Sequence, residues 1–419
     1  MKIVSRLLKS FGPGVITGAA DDDPSGIATY SSAGAQFNLK LLWSSFFTIP
    51  LMVAVQEMCA RIGMVTGRGL LKNFKIIFSR KILLLALVLL FLANTFNIGA
   101  DLSMMSAGLR LLIPAMPAWW LIIILAVLCL VLEILLSYKT YFKILKWLCL
   151  SLFAYWLTAF MVVGNWGEVI KNIFLIRLEL NTPYLMMLVA FLGTTISPYL
   201  FFWQSSGEVE NEIEDGRKNI ADRKGASKGE ISQMRWDVWI GMIFSNLTTF
   251  FIIVTTATVL HRYGIYQINT AADAAIALRP LAGDFAYYLF AIGILGTGLL
   301  AIPILAGSVA YALAEIFNWK EGLSIKLTKA KGFYGIMSIA VIFGVLMNFF
   351  GLNPVKALIY SAVLNGLTAP LFIFMIIKTS NSKKIMGKFT NSKLVNVFGW
   401  LTFALMTTAG CAFLVSLFM

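Results

Sequence analysis

Three consecutive aspartates and a proline, in AADDDPSGIATY at 19–30, lie inside an otherwise apolar stretch of the chain. A carboxylate is expensive in lipid, and a proline removes a backbone donor and interrupts its helix. From Gly12 to Asp23 is ~17 Å at ~1.5 Å per residue, which places Asp23 about half-way across a ~30 Å hydrocarbon core. The stretch GTTISPYLFFW at 193–203 repeats the device. Its Pro198 lies ~21 Å from the span's start near Tyr184 and is flanked by Thr194, Thr195 and Ser197. A half-helix ending at such a break turns unpaired carbonyls, and its negative dipole end, into the gap. The carbonyls of Ala20 and Thr194, the Asp23 carboxylate and the hydroxyls of Ser25 and Ser197 then form an oxygen-rich, net negative pocket. Asp22 is expected to line the same vestibule or to interact with a neighbouring helix, and Asp21, one position further back, to make a structural hydrogen bond. Such a pocket suits a divalent cation. A carboxylate-bearing substrate would instead want half-helix N-termini and no acid.

The elements that must position these residues are membrane spans. The 419-residue chain is 59% hydrophobic and only 13% charged, against about 25% for an average soluble domain. Apolar stretches long enough to cross a bilayer fall at about 11–35, 40–62, 82–112, 118–137, 143–164, 184–206, 236–260, 284–317, 333–351, 355–377 and 394–418. The basic start, Met1–Lys9, is not followed by a cleavage-type segment, so the first span is expected to persist. With the N-terminus inside, 27 of the 34 lysines and arginines fall on the inner side, as the positive-inside rule requires. The net charge of +14 is therefore a topology signal, not a mark of nucleic-acid binding. These features predict an all-α polytopic protein of the cell membrane, with a cytoplasmic N-terminus and an outer C-terminus.

Five spans separate the two breaks, so the second half is inverted relative to the first. Breaks at corresponding positions of two such halves point to a transporter site at the midplane. A single transmembrane domain over 1–419 is expected, with a first repeat at about 11–164, a second at about 184–377 and an extra helix at about 394–418. The loop at about 207–235, mixed in charge, is expected to be solvated, and 269–281 to form a short surface helix. The four cysteines have no pairing or metal-type spacing, and His261 is the one histidine, which disfavours histidine metal sites and catalytic triads.

At these residues the sequence resembles the Nramp family of divalent-metal transporters. GPGVITGAADDDPSGIATYSSAGAQFNLKLLW (12–43) is similar to that family's first span and its Asp-Pro-Gly-Asn motif, QEMCARIGMVTGRGL (56–70) to the end of its second span, and GTTISPYLFFWQS (193–205) stands where it has Met-Pro-His. The resemblance implies a LeuT-like 5+5 inverted repeat, an eleventh helix and alternating access. Asp23 and Pro24 match the motif, but Gly26 stands at its Asn, Ser197 at the metal-binding Met and Tyr199 at the His. A thioether favours softer transition metals, so its replacement by a hydroxyl removes a filter against Mg²⁺. A roomier all-oxygen site accepts Mg²⁺ with part of its hydration shell, and Mn²⁺ competes. The pattern resembles the Nramp-related magnesium transporters. Asp101 remains in the third span, but Asn94 and Met104 stand at acidic family positions and the ninth span carries no charge within 333–351. Proton coupling is accordingly expected to be lost.

Further residues on the pathway are Asp101, with Asn97 one turn earlier, Glu57, Glu133, Tyr360 and Asn365. Glu57 stands four residues before Arg61, an ion-pair spacing, and Glu133 can pair with Lys139 or mark the exit. The partners expected are the divalent ion, Mg²⁺ or Mn²⁺, and the lipid bilayer, with no cofactor and a monomeric chain. Two alternatives stay open: a proton-coupled Mn²⁺/Fe²⁺ symporter, and an amino-acid or organic-cation transporter of the same fold. An enzyme is disfavoured because no nucleophile is paired with a base.

Overall fold

The computed structural model describes residues 12–135 and 149–418. The basic residues before Gly12 and those between 139 and 146, with the anticipated Glu133–Lys139 pair, lie outside the described part. Among the described residues there is no strand. Helices occupy each stretch marked from the sequence: α1 (Pro13–Asp21) with α2 (Pro24–Phe37), α3 (Leu42–Thr66), α4 (Leu70–Phe74) in a connection, α5 (Arg80–Leu112), α6 (Ala118–Leu135) and α7 (Phe153–Val162). The second half contains α8 (Trp166–Phe174), a connecting helix, then α9 (Thr182–Thr195) with α10 (Pro198–Glu214), α11 (Lys228–Val259), α12 (Ala286–Phe317), α13 (Lys331–Met347), α14 (Pro354–Ser380) and α15 (Lys393–Ser416). Among the described residues, eight segments are long and apolar enough to cross a membrane, and two shorter apolar helices, Ala118–Ile134 and Phe153–Val162, accompany them. Exposed Leu85, Val88, Leu92 and Phe343 give the periphery a lipid-compatible surface.

Spans one and six are both interrupted before a proline. α1 ends at Asp21 and α2 starts at Pro24; α9 ends at Thr195 and α10 starts at Pro198. Each proline occupies the first helical turn, where its missing N–H costs nothing. Intact helices hold the pieces in line. A Cβ on Gly18 would come within 2.2 Å of the Gly241 carbonyl, and one on Gly34 within 2.5 Å of the Ile253 carbonyl, so both halves of span one lie backbone-close against α11. In the other half, a Cβ on Gly63 of α3 would come within 2.2 Å of the Ser205 carbonyl of α10. Span one thus leans on span seven and span six on span two, the exchange that an inverted repeat produces. Small residues permit such approaches in membranes, where packing replaces hydrophobic association.

The basic face is tied together by polar contacts. Asp237 of α11 accepts from the amides of Gly12 (2.8 Å) and Gly14 (2.6 Å), capping the start of α1. Glu315 at the end of α12 accepts from the amides of Leu71 (2.8 Å) and Lys72 (3.2 Å) at the start of α4. Lys75 returns the contact by donating to the carbonyls of Glu315 and Ile316. On the opposite face Lys40 donates to Glu179 at 2.5 Å; this bond, with a second from Asn181, holds the Glu179 carboxyl below its usual range.

Two expectations fail here. The solvated loop at 207–235 is largely helical, with Glu208, Glu210 and Glu212 buried. Glu210 accepts from the Tyr311 hydroxyl (2.8 Å), the Leu323 amide (3.2 Å) and the Ser324 hydroxyl (2.8 Å), partners remote in sequence that local composition does not reveal. The surface helix at 269–281 is two short helices, Ala271–Ile276 and Arg279–Ala282. Pro280, in the first turn of the second, has no N–H to donate back to Ile276, so the first helix cannot run on through it.

Candidate functional site

The two interruptions meet. A Cβ on Gly26 would lie 2.9 Å from the Asp21 carbonyl and 3.3 Å from Thr194 Oγ1, which puts the start of α2 against both the end of α1 and the end of α9. Asp23 caps α2: its Oδ1 accepts from the Gly26 amide (2.7 Å) and the Ser25 hydroxyl (2.6 Å). Its Oδ2 accepts from Asn97 Nδ2 of α5 (3.0 Å) and lies 3.3 Å from the Tyr199 hydroxyl of α10, itself 3.2 Å from the Ala20 carbonyl. One carboxylate therefore joins span one, span three and span six.

The hydrogen-bond partners of Asp23 are hydroxyls and amides. Ser197 Oγ donates back to the carbonyls of Gly193 (2.5 Å) and Thr194 (2.9 Å), so it satisfies the end of α9 and leaves α10 without a side-chain cap. Asn97 also accepts from the hydroxyl of Ser361 on α14. Asp23, Ser197, Asn97, Tyr199 and Ser361 are all buried. No group of three or more His, Cys, Asp or Glu capable of holding a metal occurs among the described residues. An ion held here meets the Asp23 carboxylate and neutral oxygens, a hard donor set.

The remaining sequence candidates separate. Asp101 follows Asn97 by one turn of α5 and is fully buried with neither oxygen hydrogen-bonded. Asn365, one turn beyond Ser361, is buried with its oxygen unpartnered. Tyr360 is 45% exposed and does not line the pocket; its neighbour Ser361 does. Asp22 turns to α11 rather than to Asn97 and Tyr199, lying beside Thr248, and Asp21 accepts from the Ser245 hydroxyl. Glu57 pairs with Arg61 at 3.6 Å and with Arg235 at 2.8 Å, an ion cluster on the basic face that is remote from Asp23 in its contacts. Glu133 is buried in α6 with both oxygens unpartnered. Between the start of α1 and the connection of α10 to α11 lies a cavity of about 130 Å³, lined by Glu208, Glu212, Asp237 and Met64 among others. Ser361 and this acidic cavity were the features sequence reasoning missed. The hydroxyl–amide pair at i and i+4 in SAVLN was the available signal for Ser361.

Residues 14–416 match the family profile described as Nramp, natural resistance-associated macrophage protein-like. The chain belongs to the Nramp family. Among its relatives, the divalent metal cation transporter MntH of Caldanaerobacter subterraneus subsp. tengcongensis is 24% identical over 405 residues, covering 95% of this chain and 90% of the relative. MntH of Bacillus subtilis is 23% identical, covering 98% and 93%. Among solved structures, the manganese transporter of Eremococcus coleocola in complex with an aromatic bis-isothiourea compound superposes with a TM-score of 0.76 at 19% identity, covering 97% of this chain and 86% of that one. Mhp1, a nucleobase-cation-symport-1 family transporter in a closed conformation, gives 0.56 at 13% identity, covering 96% and 91%. This Nramp chain thus has the LeuT-like helical fold that the resemblance implied. It is a multi-pass membrane protein.

Proposed function

We propose that this Nramp protein moves divalent cations, Mg²⁺ and Mn²⁺, across the cell membrane by alternating access, with Asp23 as the charged anchor and without coupled proton flow. The observation that carries this reading is the setting of Asp23, a lone carboxylate between two interrupted spans whose neighbours are hydroxyls, amides and carbonyls. Ala20 and Thr194 offer carbonyls, Ser25 and Ser197 hydroxyls, and Gly26 the space a larger side chain would fill. A donor set without sulfur does not disfavour Mg²⁺, and Mg²⁺ retains water where protein ligands are few. The relatives named as divalent metal cation and manganese transporters support the divalent part. Two charges crossing ~100 mV gain ~4.6 kcal/mol at ~2.3 per charge, so no second gradient is required. The distribution of basic residues supports a cytoplasmic N-terminus, and the two breaks support repeats at about 11–164 and 184–377 with the helix at about 394–418 outside them.

A second reading, a proton-coupled Mn²⁺/Fe²⁺ symporter, draws on Asp101, whose buried carboxyl has no hydrogen-bond partner one turn from Asn97. Uptake of Mg²⁺, Mn²⁺ and Ca²⁺ into proteoliposomes carrying a luminal pH dye separates the two. The expected result is Mg²⁺ and Mn²⁺ entry without luminal acidification, reduced by more than about a hundredfold in Asp23→Ala, beyond what loss of an outer-shell partner costs. Unchanged Mg²⁺ uptake in that variant would remove the site. Exclusion of Mg²⁺ together with acidification would favour the symporter.

A further inference from the structure

Several bases on the basic face are matched by acids. Arg61 and Arg235 meet Glu57, Arg217 meets Glu212 and Glu230, and Lys72 meets Glu321. The connection between α14 and α15 lacks such partners. The chain has no acid after Glu321, and between 378 and 393 it places Lys378, Lys383, Lys384, Lys388 and Lys393. All of these lysines are exposed, and none is in an ion pair among the described residues. The positive-inside rule asks for bases near span ends but not for their isolation from acids. The shelf that carries them is built by side-chain contacts. Asn381 donates to Asn396 Oδ1 (2.6 Å) and Asn396 to Asn381 Oδ1 (2.9 Å). Asn391 donates to Asn396 (2.8 Å) and Ser380 (2.9 Å) and accepts from Arg61 of α3. The short helix Lys383–Met386 seats Met386 in the core.

The helices set the level of this shelf. Lys378 lies in the last turn of α14 and Lys393 opens α15, and both helices are long and apolar enough to cross a membrane. Lysines at such ends lie among lipid headgroups. Lys378 Nζ stands 5.6 Å from the Phe374 ring centroid and 5.8 Å from that of Trp400, which is 40% exposed. Beside the lysines α15 exposes Leu394, Val397 and Leu401, spaced i, i+3 and i+7 on one face. A cationic rim beside an apolar wall matches a phosphate headgroup joined to acyl chains. We propose that the shelf between α14 and α15 binds an anionic phospholipid, its headgroup among these lysines and its acyl chains along the exposed apolar residues of α15. Like charges brought together without acids repel one another, and the lipid phosphate removes that cost. Juxtamembrane clusters of about four to eight lysines or arginines attract anionic lipid in this way. Because Asn391 is tied to Arg61, the bound lipid also braces α3 against α15. The inference goes beyond the divalent-transport reading and does not depend on which ion is carried.

The test is the thermal unfolding of the full-length protein in a neutral detergent, titrated with phosphatidylglycerol, with phosphatidylcholine of the same acyl chains, or with glycerol phosphate. A ligand of the folded state raises the melting temperature as its site fills. Phosphatidylglycerol is expected to give a saturable rise that neither of the others matches. In the triple variant Lys378→Gln, Lys383→Gln, Lys384→Gln, half-saturation should need about a hundredfold more lipid, at about fivefold per lysine. Changing the same three lysines to arginine should keep the wild-type response. A charge-matched control, Lys326→Gln, Lys329→Gln, Lys331→Gln, alters exposed lysines at the start of α13 and should also respond as the wild type does. Equal rises with phosphatidylglycerol and phosphatidylcholine overturn the proposal, as does an equal loss in the control, which would show that net charge alone governs. A matching rise with glycerol phosphate overturns it by assigning the shelf to a soluble anion. If the triple glutamine variant does not fold, Lys383→Gln with Lys384→Gln decides, with an expected shift of about twenty-fivefold.

Discussion

A single methyl group at Gly26 tests whether the packing of the break sets the site. The Gly26 amide donates to Asp23 Oδ1 at 2.7 Å, so the backbone here holds the carboxylate directly. A Cβ would stand 2.9 Å from the Asp21 carbonyl, 3.2 Å from the Tyr30 ring and 3.3 Å from Thr194 Oγ1, whereas ordinary contact begins at 3.4 Å. The start of α2 must therefore retreat from the end of α1 by about 0.5 Å, the difference between 3.4 and 2.9. The obstructing atom is a backbone carbonyl and cannot rotate aside. Overpacking of this kind costs about 1–3 kcal/mol. A misplacement of about 1 Å at a functional centre costs about a hundredfold, so half that distance predicts a loss of about tenfold. Gly26→Ala is accordingly expected to raise KM for both Mg²⁺ and Mn²⁺ by about tenfold in reconstituted uptake and to lower the melting temperature. Gly26→Asn brings a longer side chain into the same space and should depress Mg²⁺ uptake more than Mn²⁺, since Mg²⁺ parts with its waters reluctantly. A folded Gly26→Ala protein with unchanged KM refutes the reasoning: the interruption would then be too compliant for its contacts to shape the pocket.

Other substitutions separate positioning from folding. Asn97→Ala removes the donor to Asp23 Oδ2 and should weaken metal capture by about 10–100-fold, read as KM in uptake; Ser361→Ala, which frees Asn97 to rotate, should give a smaller change in the same direction. Glu57→Gln leaves buried Arg61 without its charge partner and should cost about 3–5 kcal/mol in detergent unfolding, while Arg235→Ala removes a half-exposed partner and should cost about 0–1. Tyr199→His puts an imidazole, with an ordinary pKa of about 6.5, beside Asp23. Protonation as the pH falls adds a positive charge that repels the metal, so uptake by this variant should drop between about pH 7.5 and 5.5 much more than in the wild type. An equal drop in both would show that another group governs the pH response.

The breaks were legible because proline advertises them: Pro24 follows three aspartates and Pro198 a run of hydroxyl residues, at similar depth, and helix interruption is a local property of the chain. Which face of a helix a residue occupies was less legible. Span ten shows why, since Tyr360 and Ser361 are adjacent and polar, yet about 100° of helix rotation puts one on the surface and the other against Asn97. The acids of 208–212 misled for a related reason. With the bases that follow from Arg217 they resemble a solvated loop, and only the distant Tyr311, Ser324 and Leu323 compensate the burial of Glu210.

The three aspartates carry the argument to its limit. Identical side chains in a row separate completely: Asp21 turns to Ser245, Asp22 to the neighbourhood of Thr248, and Asp23 to Asn97 and Tyr199. In a helix, successive side chains would fan out by about 100° each and stay on one cylinder. Here Asp22 has ψ 44° and Asp23 has φ −66° and ψ 173°, so the chain changes direction between them. The proline announces that unwinding, but partners 74, 176 and 224 residues away decide where each carboxylate comes to rest. The chemistry follows from the same division. A cluster of three acids pointing one way would repel itself; divided between span seven and span three, the acids leave one carboxylate, Asp23, with Asn97 and Tyr199 between the two breaks.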